Sequence, residues 1–244
     1  MILPSDIQVL YCDSALLAIN KPAGLSTLPD GYRPTLPHVK SVLEQEYGQL
    51  WIVHRLDKQT SGVLLLARST QAHRFLNTQF EQHQVLKIYH ALVTGNPEWK
   101  EKSINLPLRL NGDRSHRTVV DHEKGKPAIT HLKVLKRFGN YSLLEAIPET
   151  GRTHQIRAHL SSENLAIVGD ELYGGSKYDH PSEIESQPAH SFDLSKISME
   201  GMGLHARSLE IIHPNSGQRI KFEAAYPTWW VAALQLLRST SLSE

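Results

Sequence analysis

Short apolar runs alternate with segments of helical periodicity along the first half of the chain. The stretch LYCDSALLAINKP predicts two short strands that meet at Asp13 and Ser14. HVKSVLEQEYG predicts a short helix that ends at Gly48, and GVLLLAR is an apolar run of strand length. Ser69 then offers a helix cap, and the residues after it predict a helix with Phe75 on its apolar face.

The second half of the chain continues this mixture of strands and single helices. LKIYHALVTG predicts a strand that ends at Gly95, and YSLLEAIP predicts another. In TGRTHQIRAHLSSEN, Ile156 and Leu160 lie four residues apart and give a helix one apolar face. LHARSLEIIHP and RIKFEAAYP predict two further strands, and TWWVAALQLLR predicts a closing helix. Single helices among hairpins favour an α+β fold over a regular array of βαβ units.

One long polar stretch interrupts the pattern. Residues 176–203 follow two glycines and show little periodicity. We interpret them as a polar loop insertion that lies outside the core.

Composition excludes several classes of protein. The single cysteine, Cys12, excludes a disulfide framework and any multi-cysteine zinc or iron–sulfur site, and it fits a reducing compartment. The amino-terminal residues lack the basic and long apolar segments of a signal peptide. No apolar stretch approaches the ~18–20 residues that a membrane helix requires. We therefore expect a cytoplasmic protein with no membrane partner.

The net charge of +1 conceals an uneven distribution of charged residues. Residues 100–160 carry 12 Lys and Arg against 6 Asp and Glu, whereas residues 161–203 carry 2 against 8. A basic face of this kind suits a polyanion such as RNA. Two ordinary solvated surfaces explain the same counts, so charge alone does not decide between these interpretations.

A polar cluster precedes the apolar run in VHRLDKQTSGVLLLAR, residues 53–68. Asp57 is predicted at a strand end before a Thr-Ser-Gly turn, where its carboxylate could act as a nucleophile or general base. An isolated aspartate there is more often a turn residue. Arg55, with Arg152 and Arg157 in the later GRTHQIR segment, favours function, because arginines clamp phosphates or pair with carboxylates; they also occur on solvated helix faces. Tyr89 lies on a predicted strand, where an aromatic residue usually belongs to the core.

Other catalytic templates fit less well. HRLD is similar to the kinase catalytic loop, but in kinases the acid directly follows the arginine, and this chain has no Asp-Phe-Gly. The histidines include no HExxH, and His154 and His159 are five residues apart, so we expect no metal pair. No GxGxxG or Walker loop supports a nucleotide cofactor. The residues alone indicate a cofactor-free protein with an Asp–Arg centre and a basic flank.

Three motifs in order connect the chain to a known family. HRLDKQTSG, with INKPAGL upstream and GRTHQIRAHL downstream, resembles the RluA-type pseudouridine synthases, and KIYHALV, GKPAITH, IVGDELYG and LHARSLEIIHP also fall in order. The likeness extends from about Val9 to Trp229. It implies one catalytic domain over residues 7–230, a helix end and tail over residues 231–244, and no separate amino-terminal RNA-binding domain. It also implies a mixed, largely antiparallel central sheet flanked by helices, with an active-site cleft across the sheet.

The chain departs from the family pattern at one turn. Asn164, Leu165 and Ala166 stand where the family usually has Gly-His-Pro, just before the Gly-Asp turn.

The resemblance implies that the protein isomerises uridine to pseudouridine in structured RNA, either rRNA or tRNA, without a cofactor or a metal and as a monomer. The N-glycosidic bond breaks, the base rotates and a carbon–carbon bond forms through C5. Asp57 is implied as the essential nucleophile or base, with Arg157 as the partner that keeps it charged. Tyr89 is expected to stack on the flipped uridine, and Arg55 to fill the space that the base leaves. The remaining expected RNA contacts are His54, Arg152 and His154.

Two alternatives from other classes stay open. A catalytically inactive RNA-binding protein or chaperone on the same fold would tolerate replacement of Asp57. An RNA methyltransferase is disfavoured because the chain lacks a Gly-rich cofactor loop.

Overall fold

The structure, a computed structural model, describes residues 3–31, 33–174 and 197–240. The strands are β1 (Gln8–Cys12), β2 (Leu16–Lys21), β3 (Trp51–Ile52), β4 (Ser61–Ala67), β5 (Leu86–Thr94), β6 (Glu101–Asn105), β7 (Leu108–Arg109), β8 (Val119–Val120), β9 (Ile129–Phe138), β10 (Tyr141–Pro148), β11 (Leu204–Ile212) and β12 (Arg219–Glu223). The helices are α1 (Val39–Tyr47), α2 (Thr70–Glu81), α3 (Gln155–Ser162) and α4 (Thr228–Thr240). Most strand pairs are antiparallel, and the predicted α+β class is confirmed.

The chain divides into two compact units. Unit 1 comprises Met1–Tyr89 and His205–Ala225, and unit 2 comprises His90–Leu204 and Tyr226–Glu244. In the part of the chain that the structure describes, no helix combines the length and the apolar character needed to cross a bilayer.

Unit 1 is organised around β4, which pairs antiparallel with β2 and parallel with β11. Alternate side chains of β4 enter two apolar clusters: Val63 and Leu65 pack with α2, and Leu64 and Leu66 pack with α1. Since both faces are covered, the strand is buried at every position, and its sequence from Gly62 to Ala67 shows a continuous apolar run instead of an alternation.

Gly62 permits the parallel pairing of β4 with β11. Its φ is 112°, and a Cβ atom at this position would lie 2.3 Å from the carbonyl oxygen of Ala206. Only glycine combines this backbone conformation with such a close approach of two strands.

In unit 1, α2 begins after the predicted cap and α1 ends at the predicted glycine, whereas α2 ends at Glu81, before the end of the predicted segment. The N–H of Ala72 donates to the Ser69 hydroxyl at 3.1 Å at the start of α2, and Gly48, with φ of 71°, ends α1. Phe75 differs from the prediction, because it is 40% exposed while the buried face of α2 consists of Ala72, Leu76 and Gln79.

Unit 2 contains an antiparallel ladder of β6, β9 and β10, with α4 packed through Trp230 and Leu237 against Phe138 of β9. Helix α3 ends at the turn where the chain departs from the family pattern. There Asn164 takes φ of 58°, and the N–H of Leu165 reaches back to the carbonyl of Leu160 at 3.0 Å. Asparagine is the residue that best replaces glycine in this left-handed cap, so the turn forms without the usual sequence.

The predicted insertion lies only partly within the described residues. Residues 176–196 fall outside them, whereas residues 197–203 are described. Met202 is 2% exposed, and Ile197 and Met199 pack against the α4 core cluster. The predicted loop therefore extends too far toward the carboxyl terminus, because its last residues belong to the core of unit 2.

Candidate active site

Asp57 lies in the turn that connects β3 to β4 in unit 1. The N–H of Thr60 donates to the carbonyl of Asp57 at 3.1 Å, which closes the turn over residues 57–60. Ser61 and Gly62 already belong to β4. The predicted Thr-Ser-Gly turn was thus placed too late, because the turn begins at Asp57 itself.

The backbone on both sides of Asp57 is held by one upstream segment, residues 21–27. The hydroxyl of Thr27 donates to the carbonyl of Leu56 at 2.9 Å and accepts the N–H of the same residue at 3.2 Å. On the other side, the carbonyl of Lys58 accepts the N–H of Gly24 at 2.8 Å and the Nζ of Lys21 at 3.2 Å. These four hydrogen bonds fix the two residues that flank the carboxylate.

Lys21 has no exposed surface, and its Nζ also donates to the carbonyls of Pro22 and Leu25, each at 2.8 Å. Burial lowers the pKa of Lys21 to about 7, an effect that the negative charge of Asp57 opposes. The lysine therefore couples electrostatically to Asp57 while it holds the adjacent backbone.

Tyr89 shares this neighbourhood. The ring is half-buried against the cluster that contains α1 and Leu56. Burial raises the pKa of the Tyr89 hydroxyl, and the negative charge of Asp57 raises it further. The phenol is neutral at physiological pH, and it lies within range of the negative charge of Asp57.

Arg55 and His54 occupy different environments although they are adjacent. Arg55 is exposed. The ring of His54 stacks on Phe80 with centroids 4.9 Å apart, and its Nε2 accepts the N–H of Leu65 at 3.0 Å. Burial, together with the positive charge of the nearby Lys87, lowers the pKa of His54 to about 3. These contacts give His54 a structural role that holds the loop to β4, in place of the RNA contact expected for it.

Arg157 lies on α3 of unit 2, where it is 8% exposed. Its Nε and Nη2 donate to the two carboxylate oxygens of Asp170, each at 2.7 Å. Its Cζ lies 4.8 Å from the centroid of the Tyr173 ring. The guanidinium is therefore oriented by a bidentate carboxylate and an aromatic face.

The other expected contacts of GRTHQIR have distinct partners. Arg152 is exposed, and its Nε donates to the carbonyl of Pro127 at 3.1 Å. His154 takes a left-handed φ of 54° at the start of α3, with its Nδ1 3.3 Å from the hydroxyl of Tyr173. Of these residues, Arg157 alone is paired with a buried carboxylate by a bidentate contact.

Three residues of these sites were not predicted from the sequence: Lys21, Asp170 and Tyr173. The signal for Lys21 is a lysine at the end of the apolar strand Leu16–Lys21, where a solvated ammonium is not expected. Asp170 and Tyr173 lie in IVGDELYG, where a carboxylate directly follows buried apolar residues. Among the described residues, no group of three or more His, Cys, Asp or Glu side chains could hold a metal ion.

The sequence profile described as RNA pseudouridylate synthase matches residues 15–162. The chain belongs to the RNA pseudouridylate synthase family. This synthase is thus an isomerase acting on RNA, and the resemblance to RluA-type enzymes is confirmed.

Individual relatives match the synthase over most of its length. It is 37% identical to "Ribosomal large subunit pseudouridine synthase D" of Zymomonas mobilis over 92% of this chain and 71% of that protein. It is 36% identical to the protein of the same name from Pseudomonas aeruginosa over 96% of this chain and 72% of the relative. Among solved structures, "Human RNA Pseudouridylate Synthase Domain Containing 4" superposes with a TM-score of 0.72 at 26% identity, covering 95% of this chain and 93% of that one.

Proposed function

We propose that this synthase isomerises uridine in ribosomal RNA, with Asp57 as the catalytic carboxylate and without a cofactor. The observation that carries the proposal is the clamped turn: residues 21–27 fix the backbone on both sides of Asp57, whose negative charge acts on the Tyr89 hydroxyl. A preorganised carboxylate next to an aromatic ring suits a reaction that needs one anionic group and one stacked base.

The roles of the surrounding residues follow from their chemistry. Asp57 acts as the nucleophile or removes a proton from the sugar, and Arg157, held by Asp170, is the cationic residue that the family resemblance assigns to the reaction. Tyr89 stacks on the flipped uridine. Its hydroxyl is neutral, so the role of nucleophile or proton acceptor is left to Asp57. Arg55 is exposed and long enough to enter the space that the base leaves.

The choice of ribosomal over transfer RNA is supported by the names of the relatives, which are ribosomal large subunit pseudouridine synthases. The basic surplus in residues 100–160 suits the phosphates of a folded RNA. We expect the synthase to act in the cytoplasm as a monomer, without a metal.

Release of tritium from C5 of uridine tests this proposal, because the hydrogen on C5 must leave when the new carbon–carbon bond forms. Purified protein should release label from unmodified ribosomal RNA without a methyl donor, nucleotide or metal, and chelator should not change the rate. Transfer RNA provides the comparison substrate. Release from transfer RNA alone would overturn the choice of ribosomal RNA, and no release from either pool would overturn the reaction.

The matched variant is Asp57→Asn, which keeps the shape of the side chain and removes its charge. We expect a folded protein that binds RNA and releases less than ~1% of the wild-type label. Substantial turnover in this variant would remove Asp57 from the mechanism. If the wild type and Asp57→Asn bound RNA equally well and the wild type released no label, the inactive RNA-binding alternative would be favoured.

A further inference from the structure

Tyr173 lies where three segments of unit 2 meet. Its side chain is 6% exposed and packs in a small cluster with Leu108 of β7 and Ala158 of α3. The Tyr173 hydroxyl accepts the N–H of Thr118 at 2.9 Å and donates to the carbonyl of the same residue at 3.0 Å. Thr118 directly precedes β8, so the ring is tied to the β7–β8 hairpin by two hydrogen bonds.

The face of the same ring lies against Arg157, whose Cζ is 4.8 Å from the ring centroid. Asp170 engages the Nε and Nη2 edge of the guanidinium. The Asp170 carboxylate thus fixes the position of one edge of the guanidinium, and the Tyr173 ring fixes its plane. Together they direct the Nη1 group away from Asp170. A guanidinium held at one edge only would still rotate about that edge.

A proton-transfer role does not suit Tyr173. Its hydroxyl donates its proton to the carbonyl of Thr118 at 3.0 Å and accepts the N–H of the same residue, His154 Nδ1 lies farther away at 3.3 Å, and burial raises the pKa of the hydroxyl. The side chain contributes geometry: a flat surface whose position is set by the hairpin.

We propose that Tyr173 is a positioning residue for Arg157, its ring being anchored to the β7–β8 hairpin through Thr118 and holding the guanidinium plane in the orientation that the reaction requires. This inference deepens the proposed function and rests on it for its kinetic consequences.

The kinetic test is a double-mutant cycle on Tyr173→Leu and Arg157→Leu, measured by tritium release. Tyr173→Leu alone should lower kcat ~10–100-fold, the scale of a misplaced catalytic group, with KM changed less than ~3-fold. Tyr173→Phe keeps the ring but loses both hydrogen bonds to Thr118, so it should lower kcat much less than Tyr173→Leu does. In the double variant kcat should fall no further than in Arg157→Leu alone, because Tyr173 acts through Arg157.

The matched control is Tyr141→Leu, which truncates another buried tyrosine of unit 2, in the cluster with Trp230. It should lower the melting temperature about as much as Tyr173→Leu and leave kcat unchanged. An equal loss of kcat in both variants, or independent multiplying losses in the double variant, would reduce Tyr173 to a structural residue.

A second measurement does not depend on turnover. The Nε–Hε resonance of Arg157, assigned by its loss in Arg157→Lys, should carry a ring-current shift from Tyr173 in the wild type. It should keep that shift in Tyr173→Phe and lose it in Tyr173→Leu, without change in Tyr141→Leu. An unchanged resonance in Tyr173→Leu would overturn the inference. If the wild type releases no label, the proposed function fails while this resonance still decides whether Tyr173 positions Arg157.

Discussion

At the scale of single residues, variants of Tyr89 distinguish two roles of its side chain: base stacking by the ring and proton transfer by the hydroxyl. Tyr89→Phe keeps the ring, so it should retain most of kcat/KM if the ring is a stacking platform. Tyr89→Leu should lose ~1–3 kcal/mol of stacking, which corresponds to a roughly 5- to 150-fold loss in kcat/KM. Single-turnover kinetics on ribosomal RNA with subsaturating enzyme measure kcat/KM for both variants.

Tyr47 supplies the control for Tyr89, because it is also half-buried against the same apolar cluster. Tyr47→Phe and Tyr47→Leu should change stability and leave turnover intact. If Tyr89→Phe proved as damaging as Tyr89→Leu, the hydroxyl would be the active part, and proton transfer would replace stacking as its role.

The lowered pKa of His54 makes the free energy of unfolding depend on pH. Burial lowers its folded pKa to about 3, while the unfolded value is about 6.5. Between these values the unfolded chain binds one more proton than the folded one, so stability is complete above pH 6.5 and falls as the pH drops. His54 alone should cost about 1.3 kcal/mol of unfolding free energy between pH 7.5 and pH 5.5.

His54→Gln tests this dependence, because glutamine cannot titrate yet keeps an acceptor for the N–H of Leu65. Urea unfolding at the two pH values should show a smaller acid loss in His54→Gln than in the wild type. His122→Gln, at an exposed position, should keep the wild-type difference. Equal acid losses in all three proteins would mean that the ring of His54 titrates normally.

At the scale of elements, the close approach of β4 and β11 makes Gly62 intolerant of a side chain. Gly62→Ala combines a positive φ with a Cβ atom that would lie only 2.3 Å from the carbonyl oxygen of Ala206, so it should cost well over ~2 kcal/mol. Gly48→Ala has a similar backbone demand, with φ of 71° but no atom within 4 Å. It should cost only ~1 kcal/mol, and similar losses in the two variants would show that strand contact is not the cause.

Elements with a strong local signal were predictable from the sequence. Helix α2 has a capping serine, α1 has a terminal glycine, and β4 is a continuous apolar run. The strands between residues 101 and 138 were not predicted. Strands β7 and β8 have two residues each, and β9 alternates lysines with apolar residues on a half-solvated face. Their pairing is decided by long-range contacts that local pattern does not contain.

The candidate site shows the same limit. Asp57 was identified because its motif is contiguous in the sequence. The contact of Arg157 with Asp170 was not identified, because Asp170 is 13 residues away and beyond the end of α3. Which carboxylate meets a buried arginine depends on how the chain returns after the helix, and Asn164 sets that turn.

At the scale of the whole molecule, the uneven charge predicts how RNA affinity depends on salt. Each phosphate contact contributes about 0.7–0.9 to the slope of log K against log salt concentration. Arg114 and Lys126 are exposed and belong to the basic segment, residues 100–160. If this segment binds phosphates, the double variant Arg114→Gln and Lys126→Gln should reduce the magnitude of the slope by about 1.4–1.8, weakening binding to all RNA sequences alike.

The control removes one positive charge elsewhere. Arg219 is 70% exposed on β12 in unit 1, outside the basic segment, so Arg219→Gln should leave the slope unchanged. Binding is measured by fluorescence anisotropy on a labelled ribosomal RNA fragment from 50 to 300 mM salt, with Asp57→Asn as the background so that turnover does not alter the ligand. Equal slopes in the wild type and the double variant would assign RNA binding to other residues. A reduction in Arg219→Gln about half as large as in the double variant, which removes two charges, would point to net charge as the cause, because a specific phosphate-binding face responds only to its own arginines and lysines.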